Sequence, residues 1–433
     1  MQARYTINRV VSVVLLFALT VPTLVHLETI AKRKAIFMEL YTQTAAQAEP
    51  SVESFADFET RMDKLMEATG LMEDAENFQK VKSLFERLYF LTMDVASGKR
   101  KVSDTRFMQE ADALFKELVK IDTEIQKADG DYALSGKDSF TALAMTLLWD
   151  YLDFYEAHFH EPQQPIDGVT VERDVYYTEE QDTFRALDIY APQHAKTPLP
   201  VILDIHGGGL MYGDKKKLLP YASRLAAKGY LVITLNYRLA PAVQYKEQVQ
   251  DILEAYAFLY DRLESFGGDR NNIYLVGDSA GAQLAYYTYL VGQSDKLCAL
   301  YETQRSPLSV RAMGLISGMF DMKSGPNSIF SSAVLGYEYK DLPYYPYLQP
   351  EEVLPFGKMP PTFVMTEKKD FLRSASVDFA RQLTAQGTPC RLRDDRWRLN
   401  QSIGHITSVV FPDLPESVRA TEDMLDFFKH YAT

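Results

Sequence analysis

Ser279 stands in Gly277-Asp278-Ser279-Ala280-Gly281, directly after the apolar run Ile273-Tyr274-Leu275-Val276 and before the helix-compatible segment Ala282 to Val291. A strand, a sharp turn and a helix in that order hold a serine hydroxyl exposed above a sheet. A second motif, His206-Gly207-Gly208-Gly209, follows another apolar run, Pro200 to Ile205. The two motifs answer complementary needs. A serine hydroxyl is a weak nucleophile at neutral pH and needs a base within hydrogen-bond reach. Its attack on a carbonyl creates an oxyanion, which needs donors already in place. Glycines at 207 to 209 let backbone amides turn toward that oxygen, and the amide of Ala280, next after the serine, supplies another donor.

The remaining groups are expected downstream, in the order serine, acid, histidine. Of seven histidines only His405 and His430 follow Ser279. His430 ends an apolar-faced helical segment and reads as a surface residue. His405 lies in Ser402-Ile403-Gly404-His405-Ile406-Thr407 and is the base by elimination. Asp370 follows the run Thr362 to Met365, and catalytic groups collect at the carboxyl ends of strands in an open α/β sheet. Asp321, after Ala312 to Ile316, is its competitor. Asp370 is preferred, to orient the imidazole and stabilise its protonated form. Asp394 and Asp395 sit among Arg391, Arg393, Arg396 and Arg398 and read as a solvated strand and loop. Leu210, Met211 and Tyr212, just past the glycines, are the candidates for shaping an acyl pocket.

The elements around these residues read as two regions. From about residue 35 to 163 the chain shows little strand signal. Phe78, Val81, Leu84, Phe85, Leu88 and Leu91 recur at helical spacing, as do Leu114, Leu118 and Ile121, and Phe140, Leu143 and Ala144. Ser139 or Asp138 is placed to cap the last of these helices. This predicts a helical N-terminal domain, packed on itself or on the rest, or serving as a lid. From 164 to 433 short apolar runs alternate with helical patterns. Continuous runs mean strands buried on both faces, hence a mostly parallel sheet with helices on each side. Val169 to Tyr177 and Phe184 to Tyr190 alternate like half-buried antiparallel strands.

The segment from about Asp167 onward resembles the hormone-sensitive-lipase-like family of α/β-hydrolases, which are carboxylesterases and lipases. The resemblance rests on His206-Gly207-Gly208-Gly209, Gly213-Asp214, Tyr237-Arg238-Leu239-Ala240-Pro241, Asp251, Gly277 to Gly281, Asp370 with Leu372, and His405. It implies an α/β-hydrolase fold, preceded here by the helical region. It implies an ester hydrolase using Ser279, Asp370 and His405, with an oxyanion hole from the amides of Gly207, Gly208 and Ala280. His206 is then a scaffold residue of its loop. The chain departs from the family at Ala242, where an acidic residue is usual, and at Ile406-Thr407, where a Gly-Phe pair is usual.

Composition narrows the partners. A net charge of −13 argues against nucleic acid. The two cysteines, Cys298 and Cys390, make no disulfide framework and no metal-ligand spacing, and neither cofactor nor metal is expected. The expected partner is a small-molecule ester substrate; oligomeric state is left open. At the N-terminus, Arg4 and Arg9 precede an almost purely apolar run, Val10 to Leu27. That is the arrangement of a secretory signal or signal anchor, so residues 1–34 are expected to be exported or to tether the protein to a membrane.

Overall fold

A computed structural model describes residues 164–433 apart from 241–242, 324–333, 337–338, 369 and 396–404, together with helical stretches between 33 and 144, chiefly 75–96. Eight strands form one sheet: β1 Val169–Tyr176, β2 Ala186–Pro192, β3 Leu199–Ile205, β4 Leu231–Leu235, β5 Gly268–Asp278, β6 Val310–Ile316, β7 Thr362–Glu367 and β8 Cys390–Asp395. Their spatial order is β1-β2-β4-β3-β5-β6-β7-β8. β1 and β2 pair antiparallel, as does β2 with β4, and every later pair is parallel. β2 is more deeply buried than the half-buried pattern expected of it. Phe184 and Arg185 lie outside it, in a 3-10 turn spanning Thr183–Arg185.

The two-sided reading of the central strands has a direct counterpart in the core. Val201, Leu203 and Ile205 of β3, Ile273 and Leu275 of β5, and Val364 of β7 join one apolar cluster. Ile202, Tyr274, Val276, Phe363 and Met365 join another. Alternate side chains of a strand point to opposite faces, so each strand feeds both clusters. The helices Leu219–Ala227 and Pro415–Lys429 cover one face through Tyr221, Leu225, Met424 and Phe428. The helices Tyr245–Arg262, Ala280–Gln293 and Arg373–Ala385 cover the other.

The helical N-terminal residues belong to the second of these faces. In the helix Ala75–Ala96 the buried positions are Phe78, Val81, Leu84, Phe85, Leu88 and Leu91, the spacing that predicted it. They join the same apolar cluster as the helix that follows Ser279. The backbone N–H groups of Phe140 and Thr141 are capped by the buried carboxylate of Asp122, both at 2.9 Å, with the Thr141 hydroxyl adding a third bond at 2.6 Å. The expected caps, Asp138 and Ser139, lie outside the described residues. So does almost all of the apolar segment 1–34. Among the described residues no helix is long and apolar enough to cross a membrane.

The strand order fixes where a site can form. The chain leaves β3 toward β4 on one side and then crosses to β5 on the other. Where strand order reverses, loops at the carboxyl ends diverge and open a crevice. The loop after β3 is His206 to Gly209, and the residue after β5 is Ser279.

Candidate active site

Ser279 sits between β5 and its helix with φ 52° and ψ −118°, a backbone region that costs energy for a residue with a side chain. The turn is possible because its neighbours are glycines. A Cβ on Gly281 would run into the carbonyl oxygens of Ile205 and His206, and one on Gly277 into the backbone of Gly281. Ser279 N–H donates to Ile316 O at 2.8 Å, tying the turn to β6.

The structure brings Ser279, His405 and Asp370 into one line. His405 Nε2 lies 3.0 Å from Ser279 Oγ, and His405 Nδ1 lies 2.8 Å from Asp370 Oδ1. A carboxylate only accepts, so the Nδ1 proton points to Asp370 and Nε2 is left to accept the serine proton. Burial would raise the Asp370 carboxyl. The hydrogen bond and charge of His405 and the Leu372 N–H outweigh it and hold the carboxyl below its ordinary value. Thr366 Oγ1 also donates to Asp370, at 3.1 Å. Phe371 lies against the imidazole, ring centroids 4.4 Å apart.

The other candidates are placed elsewhere. Asp321 accepts from Lys323 N–H at 3.1 Å and from Gln349 Nε2 at 2.5 Å. His430 is exposed at the end of its helix. Asp394 pairs with Arg373. His206 is buried and stacks on Tyr237, with ring centroids 4.5 Å apart. Burial drives its imidazole down to about 4, so it stays neutral, and its Nδ1–H donates to Gly207 O at 2.7 Å. It acts as a scaffold of the glycine turn. Cys298 and Cys390 are free thiols.

Two expectations need correction. Gly207 N–H, expected in the oxyanion hole, donates to Asp278 Oδ1 at 3.2 Å and is used inside the protein. Gly208 and Ala280 keep their place in the expected donor set. Gly208 has φ +116°, and a Cβ there would collide with the Tyr212 carbonyl, so only glycine fits. Leu210 and Met211, expected to line a pocket, pack into the main core at 0% and 3% exposure. The chain turns inward after the glycines: Leu210 O accepts from Gln248 Nε2 and from Ala240 N–H. Tyr212 alone of the three is half-buried, with Lys217 over its ring.

Three groups were missed. Asp278 was read only as a motif spacer. Lys215 is fully buried, with Nζ 2.6 Å from Asp174 and 2.7 Å from Asp188, and anchors the chain beyond the glycine loop to β1 and β2. A buried lysine needs such partners, because an unpaired charge there costs several kcal/mol (about 3–5). Glu367, at the end of β7, is buried and bonds Thr407. No pattern in Thr366-Glu367-Lys368-Lys369-Asp370 singles it out, because its partner is distant in the chain.

Residues 187–372 match the BD-FAE family model. Esterase B from Lactobacillus rhamnosus, a solved structure, superposes with a TM-score of 0.62 over 66% of this chain and 93% of its own, at 23% identity. The chain has the α/β-hydrolase fold. Among curated relatives, this chain is 31% identical over 138 residues to a probable isoprenylcysteine alpha-carbonyl methylesterase of Oryza sativa, covering 32% of this chain and 33% of that one. It is 32% identical over 143 residues to esterase LipC of Mycobacterium tuberculosis, covering 32% and 35%. The matched stretch therefore spans about a third of the length of these relatives. The family resemblance read from the motifs agrees with this company.

Proposed function

We propose that this chain, on its α/β-hydrolase fold, is a serine carboxylesterase. The observation that carries the reading is the unbroken line Ser279 Oγ, His405 Nε2, His405 Nδ1, Asp370 Oδ1, with contacts of 3.0 and 2.8 Å. Ser279 Oγ attacks the ester carbonyl carbon while its proton passes to His405 Nε2. The amides of Gly208 and Ala280 hold the oxyanion. The tetrahedral intermediate collapses, the C–O bond to the alcohol breaks, and His405 returns the proton to the leaving oxygen. Water, deprotonated by His405, then releases the acid from the acyl-enzyme. Relatives named as esterases support this reading.

The proposal extends to short and medium acyl chains. Phe371, lying on the His405 ring, is the apolar surface beside the line that an acyl group would meet. It extends also to residues 1–34 as an export signal or membrane anchor, on the charge and apolar pattern alone. The experiment is hydrolysis of p-nitrophenyl esters of increasing chain length, with acetylated xylan in parallel. Turnover falling with chain length supports the reading. Turnover of the glycan alone reassigns the substrate to acylated polysaccharide. Binding without turnover of either makes the chain a binding protein on a hydrolase scaffold.

A further inference from the structure

We propose that Glu367 is a positioning residue for His405, acting through Thr407. The inference rests on the reading of Ser279, His405 and Asp370 as a hydrolytic set.

Glu367 closes β7 and is 2% exposed. Its two carboxylate oxygens take two donors from one residue: Thr407 N–H at 3.2 Å on Oε1 and Thr407 Oγ1 at 2.8 Å on Oε2. Thr407 is itself 3% exposed, so these bonds are shielded from water. Between Thr407 and His405 stands Ile406, in the left-handed region at φ 50° and ψ 30°. A β-branched residue is a genuine outlier there and persists only when its surroundings hold it. Glu367 supplies that hold on the far side of Ile406.

The near side is held from the same short stretch. Asp370 N–H donates to Glu367 O at 3.0 Å, and Asp370 Oδ1 grips the imidazole at 2.8 Å. Ser408 Oγ contacts Met365 Sδ at 3.4 Å, again on β7. One strand end thus holds the histidine ring through Asp370 and the histidine backbone through Glu367. Without the second grip the strained turn is free to relax, and a small displacement of Nε2 from Ser279 is costly to catalysis. The threonine that makes this grip stands where the chain departs from the Gly-Phe pattern of the family it resembles.

The test uses the full-length protein and the variants Glu367→Ala, Glu367→Gln, Thr407→Val and Ser279→Ala. Two readouts are taken: kcat and KM on a p-nitrophenyl ester, and the downfield proton NMR signal of the His405 Nδ1–H in protein carrying 15N-labelled histidine. Glu367→Ala is expected to lower kcat by about 10²-fold with little change in KM, and to lose the Nδ1–H signal. Glu367→Gln, which keeps the length and one acceptor, should recover most of both. Thr407→Val, which removes one bond and keeps the shape, should fall between. Should Glu367→Ala fail to fold, the ordering of the other two carries the test. Ser279→Ala should lose turnover and keep the signal. A folded Glu367→Ala with wild-type kcat and an unchanged signal overturns the proposal, as does Glu367→Gln no better than Glu367→Ala. A wild-type protein that shows the signal, loses it in Glu367→Ala and hydrolyses no ester overturns the esterase reading and leaves the positioning role standing.

Discussion

Asp278 Oδ1 accepts the N–H of Gly207 at 3.2 Å. The residue immediately before the serine thereby holds the first glycine of the loop that faces it. Asp204 lies close to Asp278, and burial, with the Asp278 charge adding, raises its carboxyl well above the ordinary range. Burial thus favours the neutral form of Asp204, and the hydrogen bond to Gly207 falls to Asp278. Asp204→Asn should leave activity nearly unchanged. Asp278→Ala should destabilise the protein by about 1.5–3 kcal/mol, the net worth of a hydrogen bond to a charged group, and lower kcat with it. Urea unfolding and steady-state kinetics on both variants check this. Greater damage from Asp204→Asn than from Asp278→Ala would show that the carboxyls have been assigned the wrong way round.

The two candidate acids separate cleanly by mutation. Asp370→Asn should lower kcat by about 10³–10⁴-fold, because the amide no longer fixes the tautomer that leaves Nε2 free. Asp321→Asn should stay close to wild type in kcat, since that carboxylate serves Lys323 and Gln349. Kinetics on the pair decides; the reverse order would move the acid to Asp321.

Glu367 also gives a signature in stability against pH. Burial pushes its carboxyl up to about 7, the Thr407 hydrogen bonds working against the rise and the Asp370 charge adding to it. A folded-state value above the unfolded one means that the native protein holds the extra proton. This contribution is fully present below about pH 4.3 and is lost as pH rises through about 7. Its full size is on the order of 3 kcal/mol. Glu367→Gln does not titrate. The stability difference between wild type and this variant should therefore move against wild type across that window, in urea unfolding at fixed pH steps. Asp370 and His405 face the same group, so the comparison is made at each pH between the two proteins. A difference that is flat with pH would contradict the shift.

The N-terminal segment makes a separate prediction. Lys34 Nζ lies 2.9 Å from Glu59 and 2.8 Å from Asp63, and Arg33 stacks over Phe78. These two residues belong with the helices, so a truncation should end at residue 32. Protein lacking residues 1–32 should be soluble and keep the ester turnover proposed for the full-length chain, while the full-length chain fractionates with membranes or outside the cytoplasm. Loss of the folded state on truncation would place the segment in the core.

Much of the fold could be read because buried parallel strands leave continuous apolar runs, and because Phe78 to Leu91 carry an unmistakable helical period. The company of Ser279 was legible for a related reason: each motif follows a strand, and strand ends share one edge of the sheet. What spacing does not carry is direction. His206 to Gly209 told which loop meets Ser279, and left open that Gly207 N–H turns back to Asp278. Leu210 and Met211 follow the glycines in sequence, yet the turn sends them into the core. Lys215 and Glu367 left no signal in the sequence because their partners, Asp174, Asp188 and Thr407, are distant in the chain or carry no motif.

The central claim is that Ser279 is an activated nucleophile. A fluorophosphonate probe on the full-length protein, with the labelled peptide mapped by mass spectrometry, tests it most directly. The account predicts stoichiometric labelling on Ser279, none in Ser279→Ala and slow labelling in His405→Ala. An unlabelled wild-type protein, or undiminished labelling of Ser279→Ala, would contradict it.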